Sequence, residues 1–434
     1  VDCAVARARE AFKAYLDVPL ETRKRMIEGM RQVILEHNDQ LAHDASAESG
    51  LGRPADKVRK NRVAATLTPG VEDLVPSAFT GDHGLSLVEN APYGVIGAII
   101  PCTNPVATVI NNAVSMLSAG NAVVFSPHPS AAGVSLQAMD LIRGVIEREG
   151  VPPDIVTAID RPTTERAGAL MKHPDVNLLV VTGGEGVVRA AMTSGKKTIA
   201  AGPGNPPVVI DETADLALAA RQVVAGASFD NNVVCVCEKT VFVVEAVYNR
   251  FRAELEKQPV KILTPHQGRR LTDTVLSRPG KPGQPGTANR EFVGRNASVL
   301  LDAIEVKADE SCRLAVVLAG QDHPLVWTEQ LMPALPVVKV RDVDEAIELA
   351  RASEFGYRHS AMMYSRNIDN LSAMARAMNC SLFVKNGPCY AGLGFGGEGH
   401  TSFTIASPTG EGLTTARTFT RRRRCVMVDH FRIV

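Results

Sequence analysis

Two patterns of apolar and polar positions divide the chain, and they change over near residue 94. Ahead of it, RKRMIEGMRQVILEHNDQLAHDA carries apolar residues at helical spacing among charges, so residues 1–66 are expected to be helical. LGRPADKVRKNRVAATLTPG predicts one more helix, ending at Pro69-Gly70. GDHGLSLVENAPYG predicts a hairpin or a pair of strands. From residue 94 the stretches GVIGAIIP, NAVVFSP, DIVTAI and VNLLVVTGG are apolar without alternation, and PVATVINNAVSMLSAG, SAAGVSLQAMDLIRGVIEREG, ERAGALMKH and EGVVRAAMTSG separate or follow them at helical spacing. Continuous apolar strands spaced by helices indicate a parallel sheet covered on both faces. Such sheets bind ligands at the carboxyl ends of their strands.

A second α/β set follows. CVCEKTVFVVE reads as a strand and AVYNRFRAELEKQ as a helix. LPVVKV, HSAMMYS and CSLFVKN read as strands, with DVDEAIELARAS and IDNLSAMARAMN as the helices among them. RPGKPGQPGTANR at 278–290 is a Pro/Gly-rich surface loop, GLGFGGEGHTSF at 392–403 a glycine-rich turn region, and ARTFTRRRRCVMVDHFRIV two strands with a basic edge.

The totals narrow the function. The 434 residues exceed one small core, so two or three domains are expected. Lys+Arg and Asp+Glu both number 47, which argues against a general binder of polyanions. Aromatic residues are sparse, with Trp327 the single tryptophan, so stacked nucleic acid is not expected. The longest apolar runs, such as VIGAII, are far too short to span a bilayer. No signal peptide is visible, and the opening VDCAVARAREAFKAY reads as an amphipathic helix, leaving open a native leader ahead of it. Eight cysteines without a CxxC fit reduced thiols in a cytosolic compartment, with Cys3, Cys102, Cys312, Cys380, Cys389 and Cys425 expected as small buried residues.

Three stretches carry candidate chemistry. In SFDNNVVCVCEK, at 228–239, Cys235 and Cys237 share one face if the segment is a strand. A zinc site needs about four ligands and CxC supplies half of them, so no metal site is expected. Dithiol redox centres use CxxC. A buried structural cysteine is the plain alternative, but the polar turn formers Asp230, Asn231 and Asn232 just ahead suggest a nucleophile delivered from a loop. In VNLLVVTGGEGVVRAAM, Thr182-Gly183-Gly184 joins a strand to a helix and presents backbone amides at the helix N-terminus. It is not GxGxxG, and many such turns use glycine for geometry alone. In IIPCTNPVATVINNA, Pro101 and Pro105 bracket a rigid turn that carries Asn104, either a helix cap or a donor to an oxyanion.

Taken together the stretches resemble one family in order and spacing. PCTNPVATVINNAVSMLSAGNAVVFSPHP, VTGGEGVVRAA, AAGPGNPPVVID, SFDNNVVCVCEK, WTEQLMPALPVVKV and GLGFGGEGHTSFTIASPTGEGLTTARTFTRRRRC, with GLGRPADKVRKN, are similar to the aldehyde dehydrogenases. Within them they are similar to the CoA-acylating propionaldehyde and acetaldehyde dehydrogenases of propanediol and ethanolamine utilisation. The resemblance implies an α/β fold with a Rossmann-like parallel-sheet cofactor domain over 1–226, a catalytic domain over 227–405, and a C-terminal return and oligomerisation segment over 406–434, with 81–93 as an oligomerisation hairpin. It implies Cys235 as the nucleophile, which forms a thioester, and Asn104 with the Cys235 N–H as the oxyanion site. It implies Glu329 on the nicotinamide ribose and Thr182, Gly183 and Gly184 beside the pyrophosphate. Ser126 and Pro127 fall at the adenosine end, Ser126 standing where hydrolytic members commonly have lysine, and Pro101 and Gly202 complete the cofactor set. His359 matches a histidine of the bifunctional aldehyde-alcohol dehydrogenases, with proton transfer or thiol activation as its role and a structural one as the alternative. Cys237 is a neighbour in the core, and Arg421–Arg424 a solvated edge or subunit contact, with contact to CoA phosphates as the alternative.

One departure bears on the reaction. Hydrolytic members carry a water-activating glutamate in an ELGGK-like stretch; here it reads AAGPGNP, with Ala201 at the glutamate position. Without that base water is a poor nucleophile toward a thioester, whereas a thiol needs less help. The resemblance thus implies an NAD-dependent enzyme, with NADP as the alternative, that converts a short-chain aldehyde and CoA to acyl-CoA in a ping-pong order. A homodimer or homotetramer in the cytoplasm is expected, packaged in a bacterial microcompartment as relatives often are, with no nucleic acid or membrane partner. Hydrolysis to the free acid and non-redox acyl transfer by Cys235 are the rival chemistries.

Overall fold

The four apolar stretches pair into one sheet with a fifth strand that the pattern does not predict: β1 (Val95–Ile99), β2 (Ala122–Ser126), β3 (Val156–Ala158), β4 (Leu178–Thr182) and, unpredicted, β5 (Thr198–Ala201). Every pairing is parallel, in the order β3-β2-β1-β4-β5. Both faces are covered, as the unbroken apolar runs require. The helix Pro105–Ser118 is buried at every residue, which explains why its sequence is apolar nearly all round. Strand order reverses between β1 and β4, so the crevice of this sheet lies beyond their carboxyl ends.

This computed structural model describes residues 1–309 and 311–434. It falls into two units, one of 1–44, 58–201 and 400–434 and the other of 45–57 and 202–399. The first also holds a smaller antiparallel sheet, in which Gly84–Pro92 pairs with Ser77–Gly81 on one side and Thr420–Val428 on the other. The tail is therefore one strand after a short 3-10 turn at Ala416–Phe419, not two. The hairpin offers it a partner over its whole length, from Thr420 opposite Pro92 to Val428 opposite Gly84.

The second unit is built on seven parallel strands: β6 (Pro207–Ile210), β7 (Thr240–Val244), β8 (Val260–Leu263), β9 (Leu314–Ala319), β10 (Ala334–Val340), β11 (Ser360–Tyr364) and β12 (Leu382–Lys385). Their order is β8-β9-β10-β7-β6-β11-β12. β6 lies inside this sheet, between β7 and β11. Residues 202–226 consequently belong with the second unit, and the expected boundary at 226/227 moves to Ala201/Gly202, with the return at 399/400 in place of 405/406.

Smaller expectations also change. Cys235 and Cys237 are not on a strand, because β7 starts only at Thr240. The 278–290 segment is not a plain loop: Leu276–Arg278 pairs with Thr287–Ala288. Among the described residues no disulfide joins any of the eight cysteines, but Cys3 and Cys425 are exposed and Cys102 and Cys380 partly so. Cys425 lies on the outlying Thr420–Val428 strand and has no core to enter. Among the described residues no helix is long and apolar enough to cross a membrane.

Candidate active site

The turn ahead of Cys235 is left-handed at three consecutive residues, with φ of 46° at Asp230, 53° at Asn231 and 65° at Asn232. Aspartate and asparagine tolerate this conformation better than other side chains with a Cβ, and here their side chains also stabilise it. The Asp230 carboxylate accepts the Arg53 N–H at 2.6 Å and the buried Lys57 ammonium at 3.1 Å. Gly52, at φ 74°, makes room: a Cβ there would meet Asp230 Oδ1 at 2.0 Å. Asn231 accepts from Arg53 Nε at 2.9 Å and donates to Gly294 O and Asn296 Oδ1, both at 2.9 Å. Asn232 donates to Ala227 O at 2.7 Å and Glu238 O at 2.9 Å. Lys239, fully buried, donates to the carbonyl and the side-chain oxygen of Asn232. Cys235 thus sits in a loop tied at both ends, while Cys237 is packed in the core with its thiol toward Phe229 O.

Cys235, Glu329 and His359 are brought together at the amino ends of the central strands. They precede β7, β10 and β11, and Gly204 precedes β6; these strands are neighbours in the order β10-β7-β6-β11. This edge is opposite to the carboxyl ends at which parallel sheets ordinarily bind. Gly204 is the joint. Its N–H donates to Glu329 Oε1 at 3.0 Å, and a Cβ on it would meet Cys235 O at 3.0 Å and His359 Cγ at 3.0 Å. Gly202, buried, lies two residues earlier on the same connection.

The electrostatics suit a nucleophile held in reserve. Burial pushes the Cys235 thiol up to about 12; the Glu329 carboxylate pushes the same way, and the Lys239 ammonium opposes both. Burial also raises Glu329, against Lys239 and the Gly204 N–H. His359 is fully buried and pushed down to about 4, by burial first and Lys239 second, so the ring is neutral at physiological pH. Its Nδ1 lies 3.0 Å from Ser360 Oγ, and its Nε2 has no hydrogen-bond partner. At rest the ring is a neutral acceptor and a transient proton carrier, not a standing cation.

In the first unit the expected cofactor residues line the carboxyl edge of the five-stranded sheet. Pro101 and Asn104 follow β1, Ser126 ends β2 with Pro127 after it, Thr182 ends β4 and Ala201 ends β5. Pro101, Ser126, Pro127 and Ala201 are buried. Thr182 Oγ1 lies 3.3 Å from Thr404 Oγ1, and the Gly183 N–H donates to Ala201 O at 3.1 Å. Gly184 stands at the N-terminus of the helix Glu185–Met192, and a Cβ on it would meet nothing within 4 Å. Open space before a helix N-terminus, at the switch point of the sheet, fits the pyrophosphate of a dinucleotide. Asn104 precedes the helix Pro105–Ser118 but its side chain does not cap it. Its Oδ1 accepts from the buried Lys60 at 2.6 Å and its Nδ2 donates to Thr103 Oγ1 at 3.1 Å.

Sequence reading missed Lys60, Lys239, Gly204, Arg53 and Lys57. GLGRPADKVRKN holds three of them, yet a lysine in a charged helix reads as solvated until its partner is known.

The whole pattern agrees with known proteins. The chain matches the aldehyde dehydrogenase family over residues 1–415. It is 49% identical to the acetaldehyde dehydrogenase (acetylating) EutE of Salmonella typhimurium, over 100% of this chain and 92% of that one. A Rhodopseudomonas palustris propionaldehyde dehydrogenase, solved with bound CoA and an acylated cysteine, is 44% identical, covers 99% of this chain and 97% of its own, and superposes with a TM-score of 0.95. A propionaldehyde dehydrogenase from the Clostridium phytofermentans fucose utilisation bacterial microcompartment is 41% identical over 100% and 98%, with a TM-score of 0.96. The chain belongs to the aldehyde dehydrogenase family, and it groups there with the CoA-acylating members.

Proposed function

We propose that the protein oxidises a short-chain aliphatic aldehyde, acetaldehyde or propionaldehyde, to its acyl-CoA. The balance is RCHO + NAD+ + CoA-SH giving RCO-S-CoA + NADH + H+, and it is reversible. The observation that carries this reading is Cys235, held in a loop beside Glu329 and His359, in a chain 44% identical to an enzyme solved with CoA and an acylated cysteine.

Cys235 attacks the aldehyde carbon as the thiolate, forming the S–C bond of a thiohemiacetal. Negative charge collects on the former carbonyl oxygen, where the Asn104 amide and the Cys235 N–H donate to it. Bound NAD+, or NADP+ as the alternative, supplies the acceptor for the hydride that leaves this carbon. The residues assigned to the dinucleotide are Thr182, Gly183 and Gly184 at the pyrophosphate, Glu329 at the nicotinamide ribose, Ser126 and Pro127 toward the adenosine, and Pro101 and Gly202 beside it. The carbonyl re-forms as the Cys235 thioester. The CoA thiol then attacks that thioester and Cys235 leaves as thiolate. His359, neutral and with an unpartnered Nε2, takes up the CoA thiol proton. Ala201, 3% exposed, has no carboxylate to take a proton from water at its position, which supports thiolysis over hydrolysis.

The reading extends to a homodimer or homotetramer in the cytoplasm, inside a bacterial microcompartment. The exposed Thr420–Val428 strand, with Val426, Val428 and Phe79 uncovered, supports the first, and the microcompartment relative supports the second. Incubation with propionaldehyde and NAD+ without CoA, followed by peptide mass analysis, tests the covalent step. A propionyl group on Cys235 is expected; NADH formation with Cys235 unmodified contradicts it.

A further inference from the structure

Lys60 is 1% exposed, so its ammonium has been taken out of water. It donates to Asn104 Oδ1 at 2.6 Å and to Thr103 O at 3.1 Å. Taking an ammonium out of water is costly, and a methionine or glutamine would fill the same space at less cost. The position therefore calls for a reason tied to what the ammonium touches.

An asparagine carboxamide has nearly the same shape at both ends, and its partners decide which end is which. An ammonium has three donors and no acceptor. At 2.6 Å it can donate only to the oxygen end of Asn104; the flipped amide would set donor against donor. The NH2 end must then face away from Lys60. One of its hydrogens goes to Thr103 Oγ1 at 3.1 Å, and a carboxamide nitrogen carries two. A charged donor on the carbonyl also polarises the amide, which strengthens its N–H groups as donors.

We propose that Lys60 is the positioning residue of the oxyanion site: its ammonium holds the Asn104 oxygen, so that the remaining N–H is presented to the substrate oxygen and strengthened as charge develops there. The inference rests on the reading of Asn104 as the oxyanion donor. Neither Lys60 nor its bond to Asn104 was needed for the reaction scheme above, in which Asn104 acts by itself.

The test is a double-mutant cycle on the acylation half-reaction, followed as the first turnover of NADH without CoA, in Lys60→Met, Asn104→Ala and the combined variant. Asn104→Ala is expected to slow acylation by about a hundredfold to a thousandfold, the usual effect of losing one oxyanion donor. Lys60→Met is expected to slow it by about tenfold or more, with KM for NAD+ unchanged, and the combined variant to be no slower than Asn104→Ala alone. Lys60→Arg, which keeps a cationic donor, is expected to recover part of the loss. If Lys60→Met costs the same factor with and without Asn104, the two act independently and the proposal is overturned. Acylation at the normal rate by Asn104→Ala would instead overturn the oxyanion role of Asn104 itself, whatever Lys60 does. Should Lys60→Met fail to fold, Lys60→Gln takes its place in the cycle with the same outcomes.

Discussion

The ammonium of Lys239 donates to the backbone carbonyl of Asn232 at 2.9 Å, closing a loop that has Cys235 inside it. The same charge opposes the burial that raises the Cys235 thiol. Lys239→Met keeps the length of the side chain and loses both effects. Alkylation of Cys235 by iodoacetamide, measured without nucleotide at about pH 8, is expected to slow by about tenfold for each unit its pKa rises. An unchanged rate would leave Lys239 with a packing role only.

Glu329 acts on the same thiol with the opposite sign. Its carboxylate raises the Cys235 pKa, so Glu329→Gln lowers it and enlarges the thiolate fraction at any pH below that value. Alkylation of the nucleotide-free variant is therefore expected to quicken, while KM for NAD+ rises because the ribose exchanges a charged acceptor for a weaker neutral one. Slower alkylation, or an unchanged KM for NAD+, contradicts these assignments.

The buried pair Lys57–Asp230 holds the start of the left-handed turn at 3.1 Å. Lys57→Met takes the ammonium away from a buried carboxylate and is expected to cost about 3–5 kcal/mol. Lys57→Met combined with Asp230→Asn removes that negative charge as well and is expected to recover part of the loss. Urea unfolding followed by fluorescence reads both; equal stability of the single and double variants contradicts the account.

Much of this architecture could be read from residues alone, because it rests on periodicity. β1 to β4 are almost wholly buried and lie in runs that are apolar without alternation, whereas the short β5, TIAA, stood out as no such run. Cys235 stood out as a candidate nucleophile for a different reason: polar turn formers stand ahead of it, and the stretches around it match a family in order. Three features were not legible. The CVCEK run has the composition of a strand, but the chain remains a loop until Thr240, since Cys237 N–H turns back to Val234 O. β6 falls within the expected 1–226 segment yet pairs in the second sheet, and a short PVVI run has the same pattern in either sheet. Lys60 and Lys239 are typical surface residues by type, and only their buried oxygen partners reveal them.

Glu238 offers a pH-dependent test of the same loop. Burial pushes its carboxyl up to about 7, against the N–H and thiol of Cys389 and the charge of Lys239. The folded chain thus holds this proton more tightly than the unfolded one, whose glutamate titrates near about pH 4. The contribution is complete below about pH 4 and is lost as pH rises through about 7. Glu238→Gln, which cannot ionise, is expected to gain stability over the parent at about pH 8 relative to about pH 5. A thermal-unfolding difference that does not change between the two conditions contradicts the assignment.

The central claim is that the Cys235 acyl group passes to CoA and not to water. The direct measurement is product analysis of propionaldehyde oxidation with NAD+, with and without CoA, by chromatography of the acyl-CoA and the free acid. The account predicts steady turnover to propionyl-CoA when CoA is present and, without it, NADH formation that stops after about one equivalent per Cys235. Propionic acid formed without CoA at an undiminished rate would contradict it.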